Sequence, residues 1–171
     1  MDNNNLAQAA DRFAVVDALY RFAAGIDLRD KTLLASALAE NAVSDFRPAA
    51  ARGGFEYPVI EGRDIIVAAL ATSLDQLDTT HSVSNPRVTL DGDTARLDAL
   101  VEAQHVLRTD PSRHYLMKNR YDVELVRAKR GSLHGTQSIM SGARAIRPCL
   151  PACSRNRVTG DRDTVTRIPV M

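Results

Sequence analysis

Four residues in this sequence combine a reactive side chain with an unusual position: Tyr20, Asp27, His81 and His105. Asp27 follows Tyr20 by seven residues at the end of a predicted helix, and this spacing puts both on one helix face. His105 lies on the apolar face of a predicted strand, and His81, in "TTHSVSN", lies where a helix gives way to a strand. A carboxylate beside an imidazole fixes the ring tautomer and makes its other nitrogen a better base near neutral pH. The set therefore indicates acid–base chemistry.

A neighbouring hydroxyl or second imidazole would complete such a site by donating a hydrogen bond to an oxyanion or a leaving hydroxyl. The candidates for this role are Tyr20, Tyr57, Tyr115 and His105. Purely structural explanations stay open beside the catalytic one. Asp27 can cap or end its helix, His105 can be a satisfied core histidine, and His81 can be a solvated loop residue. Tyrosines on an apolar face are core residues more often than catalytic ones.

The N-terminal half is predicted to be largely helical. Apolar residues recur at three- and four-residue steps over 6–27, which predicts a helix with one apolar stripe. A second helix is predicted over about 30–40, with Asp30 as its N-cap. The predicted elements that follow are strands at 42–48 and 55–60, separated by a Pro- and Gly-containing break, and a helix at 61–77 that starts near Gly62.

After the third helix the hydrophobic period changes to two. It predicts long strands over 94–108 and 114–126, the first preceded by the turn "LDGD". Helices followed by antiparallel strands indicate an α+β fold, in which a curved sheet wraps over the N-terminal helices as a cone and encloses a pocket. The predicted lining of this pocket is apolar and modest in size. With the polar residues included, it comprises Phe46, Phe55, Tyr57, Asn85, Leu97, Val101, Tyr115, Met117, Asn119 and Tyr121.

Composition restricts the class of protein. With 171 residues, 44% hydrophobic and 25% charged, the chain is expected to form one globular domain. No apolar run approaches the ~20 residues of a membrane span, and the N-terminus lacks the features of a signal peptide, so a cytoplasmic protein is expected. Residues 132–171 carry a charge of +4 and residues 1–131 carry −3, which gives no electrostatic case for nucleic-acid binding. We expect a folded domain at 1–131 and a basic tail of low order at 132–171.

Three short motifs together resemble a known family. A helix ending in "YRFAAGID", a helix opening with "EGRDII" and a strand opening with "THSVSN" look like the SnoaL-like branch of the nuclear-transport-factor-2-like superfamily over about residues 8–130. That superfamily includes scytalone dehydratase, bile-acid dehydratase, a hexachlorocyclohexane dehydrochlorinase and polyketide cyclases. The resemblance implies a curved mixed sheet around a conical pocket and a homo-oligomer, a dimer or trimer.

The resemblance also implies roles for individual residues. In the family's lyases an Asp at the end of the first helix pairs with a His at the start of the strand after the third helix, and Asp27 and His81 match these positions. His105 lies near the place of a second polar group inside the cone, and Asn85 follows His81 as an Asn does in several members. After "VRAKRG" the chain departs from the family pattern, which puts pocket residues from a final strand in doubt.

Three functional hypotheses follow. The first is a cofactor-free lyase or isomerase that acts on a small apolar molecule, with His81 as base and Asp27 orienting it. The second is a non-enzymatic ligand-binding or assembly subunit, like the small subunit of a ring-hydroxylating dioxygenase, which shares this fold. The third is a metal site built from Asp27, His81 and His105, although their spacing matches no recognised metal motif.

Overall fold

The computed structural model describes residues 3–127 and the backbone of residues 136–145. Its elements are one long helix, then short helices that alternate with short strands, then a run of long strands. They are α1 (Asn3–Asp27), α2 (Lys31–Ser36), β1 (Val43–Ser44), α3 (Arg47–Gly53), β2 (Ile60–Glu61), α4 (Arg63–Ser73), β3 (Leu77–Asp91), β4 (Thr94–Leu107), β5 (His114–Arg127) and β6 (Thr136–Ala145). Helices come first and long strands follow, so the predicted α+β class is confirmed.

The described strands form one open sheet in the order β2-β1-β6-β5-β4-β3. Every neighbouring pair is antiparallel except β1 and β6, which are parallel, so the sheet is mixed. The strands β2 and β3 form its edges, and the sheet does not close into a barrel. Because β3 is an edge strand, one side of its backbone is free to meet α1.

Helix α1 supplies the cover for one face of the sheet. Its buried residues include Leu19, Phe22 and Ile26, and they pack in one core cluster with Leu97 and Val123 of the sheet. Leu97 is fully buried, as expected for an inward position of a central strand. The core therefore lies between α1 and the β4–β5 face, and the C-terminal end of α1 lies over the start of β3.

Several predicted segments differ from the structure, and the strands predicted at 42–48 and 55–60 are the two-residue strands β1 and β2. Residues 47–53 form helix α3 where a break was predicted, since Pro48 falls in the first turn, where a missing N–H costs nothing, and Gly54 ends the helix with a left-handed φ of 77°. Within the segment 132–171, expected to have low order, Thr136–Ala145 is the paired strand β6. The rest of that predicted tail lies outside the described residues.

Candidate active site

Asp27 and His81 are in direct contact through two hydrogen bonds. One carboxylate oxygen, Oδ1, lies 2.6 Å from Nδ1 of the imidazole, and the other, Oδ2, accepts the backbone N–H of His81 at 2.7 Å. The His81 side chain is 5% exposed and the Asp27 side chain 21%. The carboxylate thus holds both the ring and the backbone of His81, which leaves the imidazole little freedom to rotate.

The end of α1 has a local structure that fixes Asp27 in place. The N–H of Asp30 donates to the Gly25 carbonyl and the N–H of Arg29 donates to the Ile26 carbonyl, which is the Schellman pattern of a helix C-terminus. Arg29 occupies the left-handed position with a φ of 58°. Asp30 then caps α2, as predicted, by accepting the N–H of Leu33 at 2.9 Å. Asp27 therefore lies in the last regular turn, between two helices that restrain it.

The position of His81 on β3 explains how its backbone N–H reaches a side chain. Since β3 is an edge strand, the N–H of His81 points away from β4 and donates to no neighbouring strand. Asp27 occupies this free edge position. Because carboxylate oxygens accept only, the proton of a neutral His81 ring lies on Nδ1, and Nε2 keeps its lone pair. A neutral ring held in this tautomer is arranged to act as a base through Nε2.

His105 lies beside this pair on the same face of the sheet. Its ring is 6.1 Å from that of His81 and stacks on Tyr115 at 4.3 Å between ring centroids. The residue is 6% exposed. This burial lowers the pKa of His105 to about 4, and the positive charge of Arg29, or of His81 when its ring is protonated, acts in the same direction. His105 is therefore neutral near pH 7.

The hydrogen bond of His105 limits what it can do. Its Nδ1 lies 3.1 Å from the Ala103 carbonyl, which can only accept, so the single N–H of the neutral ring is used there. The remaining nitrogen, Nε2, is an acceptor. The role expected for His105, donation to an oxyanion or a leaving group, does not fit this state.

Two predicted site residues lie away from the pair. Tyr20 shares the helix face of Asp27 but is 43% exposed, so α1 does not bury it against His81. Asn85 is exposed at a β-bulge between Ser84 and Arg87, with a left-handed φ of 53°. The bulge interrupts the alternation that would carry Asn85 onto the inward face. Both positions argue against the roles predicted for these residues.

The predicted pocket residues lie mostly in the core. Leu97, Val101 and Tyr121 belong to the central cluster, and Met117 packs against it. Phe46 meets Tyr57 and Tyr121 edge to face, at centroid distances of 6.2 and 5.7 Å. Burial raises the pKa of Tyr57 and of Tyr121, so both hydroxyls stay protonated. Phe55 is half-buried. The structure brings much of the predicted lining together, and a pocket role for it stays a prediction.

The inward face also contains a residue that the sequence analysis missed. Thr79 lies opposite His105 in the register of β3 and β4 and two residues before His81, so all three share one face. Its Oγ1 is buried, and among the described residues no hydrogen-bond partner reaches it. The two-residue period in "TTHSVSN" contained the signal, since every second residue from His81 faces the same way.

A cleft of about 220 Å³ lies at the end of α1 that faces α2 and α4. Arg29, Lys31, Asp75 and Arg108 contribute its charged groups, and Leu34 and Leu70 are among its apolar ones. None of the predicted pocket residues lines it. Across the described part of the chain, no group of three His, Cys, Asp or Glu side chains is arranged to hold a metal ion. The set of Asp27, His81 and His105 is thus no metal centre in this geometry.

Comparison with known proteins shows the family to which this chain belongs. The model of the SnoaL-like domain matches residues 7–133. The chain therefore belongs to the SnoaL-like family. No described helix is both long and apolar enough to cross a membrane.

Individual relatives include one curated protein and several solved structures. Terrestric acid biosynthesis cluster protein E of Penicillium crustosum is 31% identical over 123 residues, which are 69% of this chain and 73% of that protein. A putative aromatic ring hydroxylase from Novosphingobium aromaticivorans has a TM-score of 0.65 at 22% identity, over 78% of this chain and 89% of that one. A hexachlorocyclohexane dehydrochlorinase from Novosphingobium barchaimii has a TM-score of 0.60 at 18% identity, over 86% and 99%. At these identities the solved structures establish the fold.

Proposed function

We propose that this protein is a cofactor-free lyase or isomerase, of the dehydratase or cyclase kind, that acts on a small and mainly apolar molecule. The observation that supports this most directly is the two-point contact of Asp27 with His81. A structural histidine needs one hydrogen bond to be satisfied, whereas here the ring and the backbone are both held by one carboxylate. Such restraint favours a group whose direction matters for its chemistry.

In the proposed mechanism His81 is the base. Its Nε2 removes a proton from a carbon next to a carbonyl or to a leaving group, and Asp27 stabilises the imidazolium that forms. Asp27 is thus a positioning residue that acts through His81. The protonated ring can then return the proton to another carbon, which is an isomerisation, or to a departing hydroxyl, which completes a dehydration.

The stabilising donor for the developing negative charge is assigned to Tyr115. His105 has no N–H left for this purpose, because its only one is used on Ala103. Tyr115 stacks on His105 and lies at the rim of the same face, 38% exposed, where a ligand can reach it. A phenol hydroxyl donates well to an oxyanion while it stays neutral at physiological pH.

The relatives support the class of chemistry and not the substrate. The curated relative is named for a biosynthetic cluster, which fits a protein that acts on small molecules. The solved dehydrochlorinase shows that this fold is compatible with elimination chemistry in another protein. The oligomeric state of this chain, a dimer or trimer, belongs to the same proposal.

The test is proton exchange into small carbon acids in deuterated water. A panel of cyclic ketones and β-hydroxyketones is incubated with the parent protein, His81→Gln and Asp27→Asn, and deuterium incorporation or loss of water is followed by NMR. We expect the parent to act on at least one member, His81→Gln to lose about 10²–10⁴-fold in rate, and Asp27→Asn to lose less. Activity that survives His81→Gln unchanged contradicts the proposal, and a panel that the parent leaves unchanged favours the binding-subunit alternative.

A further inference from the structure

Two buried polar atoms on the inward face of the sheet have no described hydrogen-bond partner: Oγ1 of Thr79 and Oδ1 of Asn119. Asn119 is 4% exposed. A buried polar atom without a partner destabilises the folded state, and native proteins rarely leave one unexplained. Two such atoms on one face, beside a candidate base, call for a common cause.

The register of the sheet places these atoms on either side of His81. Thr79 lies opposite His105, which lies opposite Tyr115, and these form one row across three strands. His81, Ala103 and Met117 form the next row. Val83, Val101 and Asn119 form the third. Directly paired residues of antiparallel strands share a face, so the three rows form one continuous surface with His81 in its middle row.

The surroundings of Asn119 make its carboxamide unusual. Val101, opposite it in the row, is fully buried, and Tyr121, two residues along the strand, is also buried. An asparagine in such a place would be replaced without loss by an apolar residue if packing alone mattered. The carboxamide oxygen therefore fits a polar group that arrives with a ligand.

We propose that Thr79 and Asn119 bind the substrate through hydrogen bonds, and that the substrate is accordingly an oxygenated molecule that carries hydroxyl groups, rather than a hydrocarbon or halocarbon. The Asn119 oxygen accepts from a substrate hydroxyl, and the Thr79 hydroxyl accepts or donates at the opposite end of the three rows. A carbon–chlorine or carbon–hydrogen bond cannot donate to either atom, so purely apolar molecules would leave both unsatisfied.

This inference rests on the proposed function only in treating the bound molecule as a substrate, and binding is measurable without turnover. The probes are phenol and chlorobenzene, which differ in one substituent. Their dissociation constants are measured by titration with ¹⁵N-labelled protein, and the backbone amides of Val83 and Val101, which lie in the same row as Asn119, report the site in the parent and in every variant. The parent is expected to bind phenol about tenfold more tightly than chlorobenzene, the equivalent of ~1.4 kcal/mol.

Variants identify the atoms responsible. Asn119→Leu and Thr79→Val remove the polar atoms at nearly constant size, and Thr80→Val is the matched control because Thr80 is exposed on the opposite face of β3. The phenol preference is the ratio of the chlorobenzene dissociation constant to the phenol dissociation constant. We expect this ratio to fall toward one in Asn119→Leu or in Thr79→Val and to stay at the parent's value in Thr80→Val. Equal binding of the two probes by the parent, or a preference that survives in both variants, overturns the inference.

The same titration separates this inference from the proposed catalytic role. Repeated in Asp27→Asn, it is expected to give the parent's preference, since neither polar atom contacts Asp27. If the preference holds while the exchange assay fails, binding stands and the lyase proposal falls. If the exchange assay succeeds while the preference is absent, the lyase proposal stands and the inference about Thr79 and Asn119 falls.

Discussion

Gly25 of α1 lies so close to Leu34 of α2 that a β-carbon on Gly25 would fall 2.6 Å from the Leu34 amide nitrogen. Real β-carbons do not approach backbone atoms this closely. The contact brings α2 against the last turn of α1, two residues before Asp27. The glycine is thus explained by helix packing at the point where the candidate site is built.

Gly25→Ala tests this packing. Alanine favours a helix over glycine by about 1 kcal/mol, but backbone crowding against Leu34 costs roughly 1–3 kcal/mol, so we expect a net loss of stability. The free energy of unfolding is measured in urea, with Ala14→Gly as a control for helix propensity in α1. If Gly25→Ala stabilises the protein by as much as Ala14→Gly destabilises it, the close contact is absent in solution.

His105 makes stability depend on pH. Its pKa is lowered from 6.5 to about 4 in the folded protein, so between these values the unfolded chain binds the extra proton and stability falls as the pH is lowered. The full effect is roughly 3 kcal/mol. We expect the parent to lose this amount between about pH 6.5 and 4. His105→Phe, which keeps a ring on Tyr115, should lose less over the same range, whereas identical pH profiles would show that His105 titrates normally.

Asp27→Ala removes both hydrogen bonds to His81. Since the acceptor is charged and the His81 N–H lies at a sheet edge, we expect a loss of about 2 kcal/mol in the free energy of unfolding. Asp27→Asn should cost less, because one amide oxygen can still accept. Asp17→Ala, which removes only the partly exposed ion pair with Arg21, is the control and should cost below about 1 kcal/mol. Equal losses in Asp27→Ala and Asp17→Ala would mean that Asp27 does not anchor β3.

Asn119→Leu is expected to stabilise the ligand-free protein. The variant replaces an unsatisfied carboxamide oxygen in apolar surroundings with a side chain of similar volume, which should raise the free energy of unfolding by roughly 1–2 kcal/mol. Urea unfolding of the variant and the parent, without probe, measures the change. A clear loss of stability would instead mean that Asn119 makes a structural hydrogen bond.

Much of this architecture could be predicted from local patterns. The two-residue period of β4 and β5 reflects which strand face is buried, so the alternation of apolar and polar residues was sufficient there. The helix α1 was also predicted, but its predicted apolar face includes the exposed Tyr20. The N-cap at Asp30 could also be predicted, because its side chain accepts a hydrogen bond from a residue only three positions further along the chain. Helix α3 could not be predicted, because a proline indicates a break in a helix unless it is known to lie in the first turn.

The site was harder to predict because its contacts are long-range. Asp27 and His81 are 54 residues apart, and their pairing came from a family resemblance, not from periodicity. The exposure of Asn85 follows from a bulge that shifts the register of β3 after Ser84, which no local pattern showed. The state of His105 depends on a bond to a backbone carbonyl and on burial, and neither is visible in sequence.

The central claim is that Asp27 holds His81 with its Nε2 lone pair available as a base. It is tested most directly by the ring nitrogen chemical shifts of the neutral form of His81 in ¹⁵N-labelled protein. We predict a proton on Nδ1 and none on Nε2 in the parent, with this preference weakened in Asp27→Asn. A proton on Nε2 in the parent would contradict the account, because the nitrogen assigned to proton removal would then have no lone pair to offer.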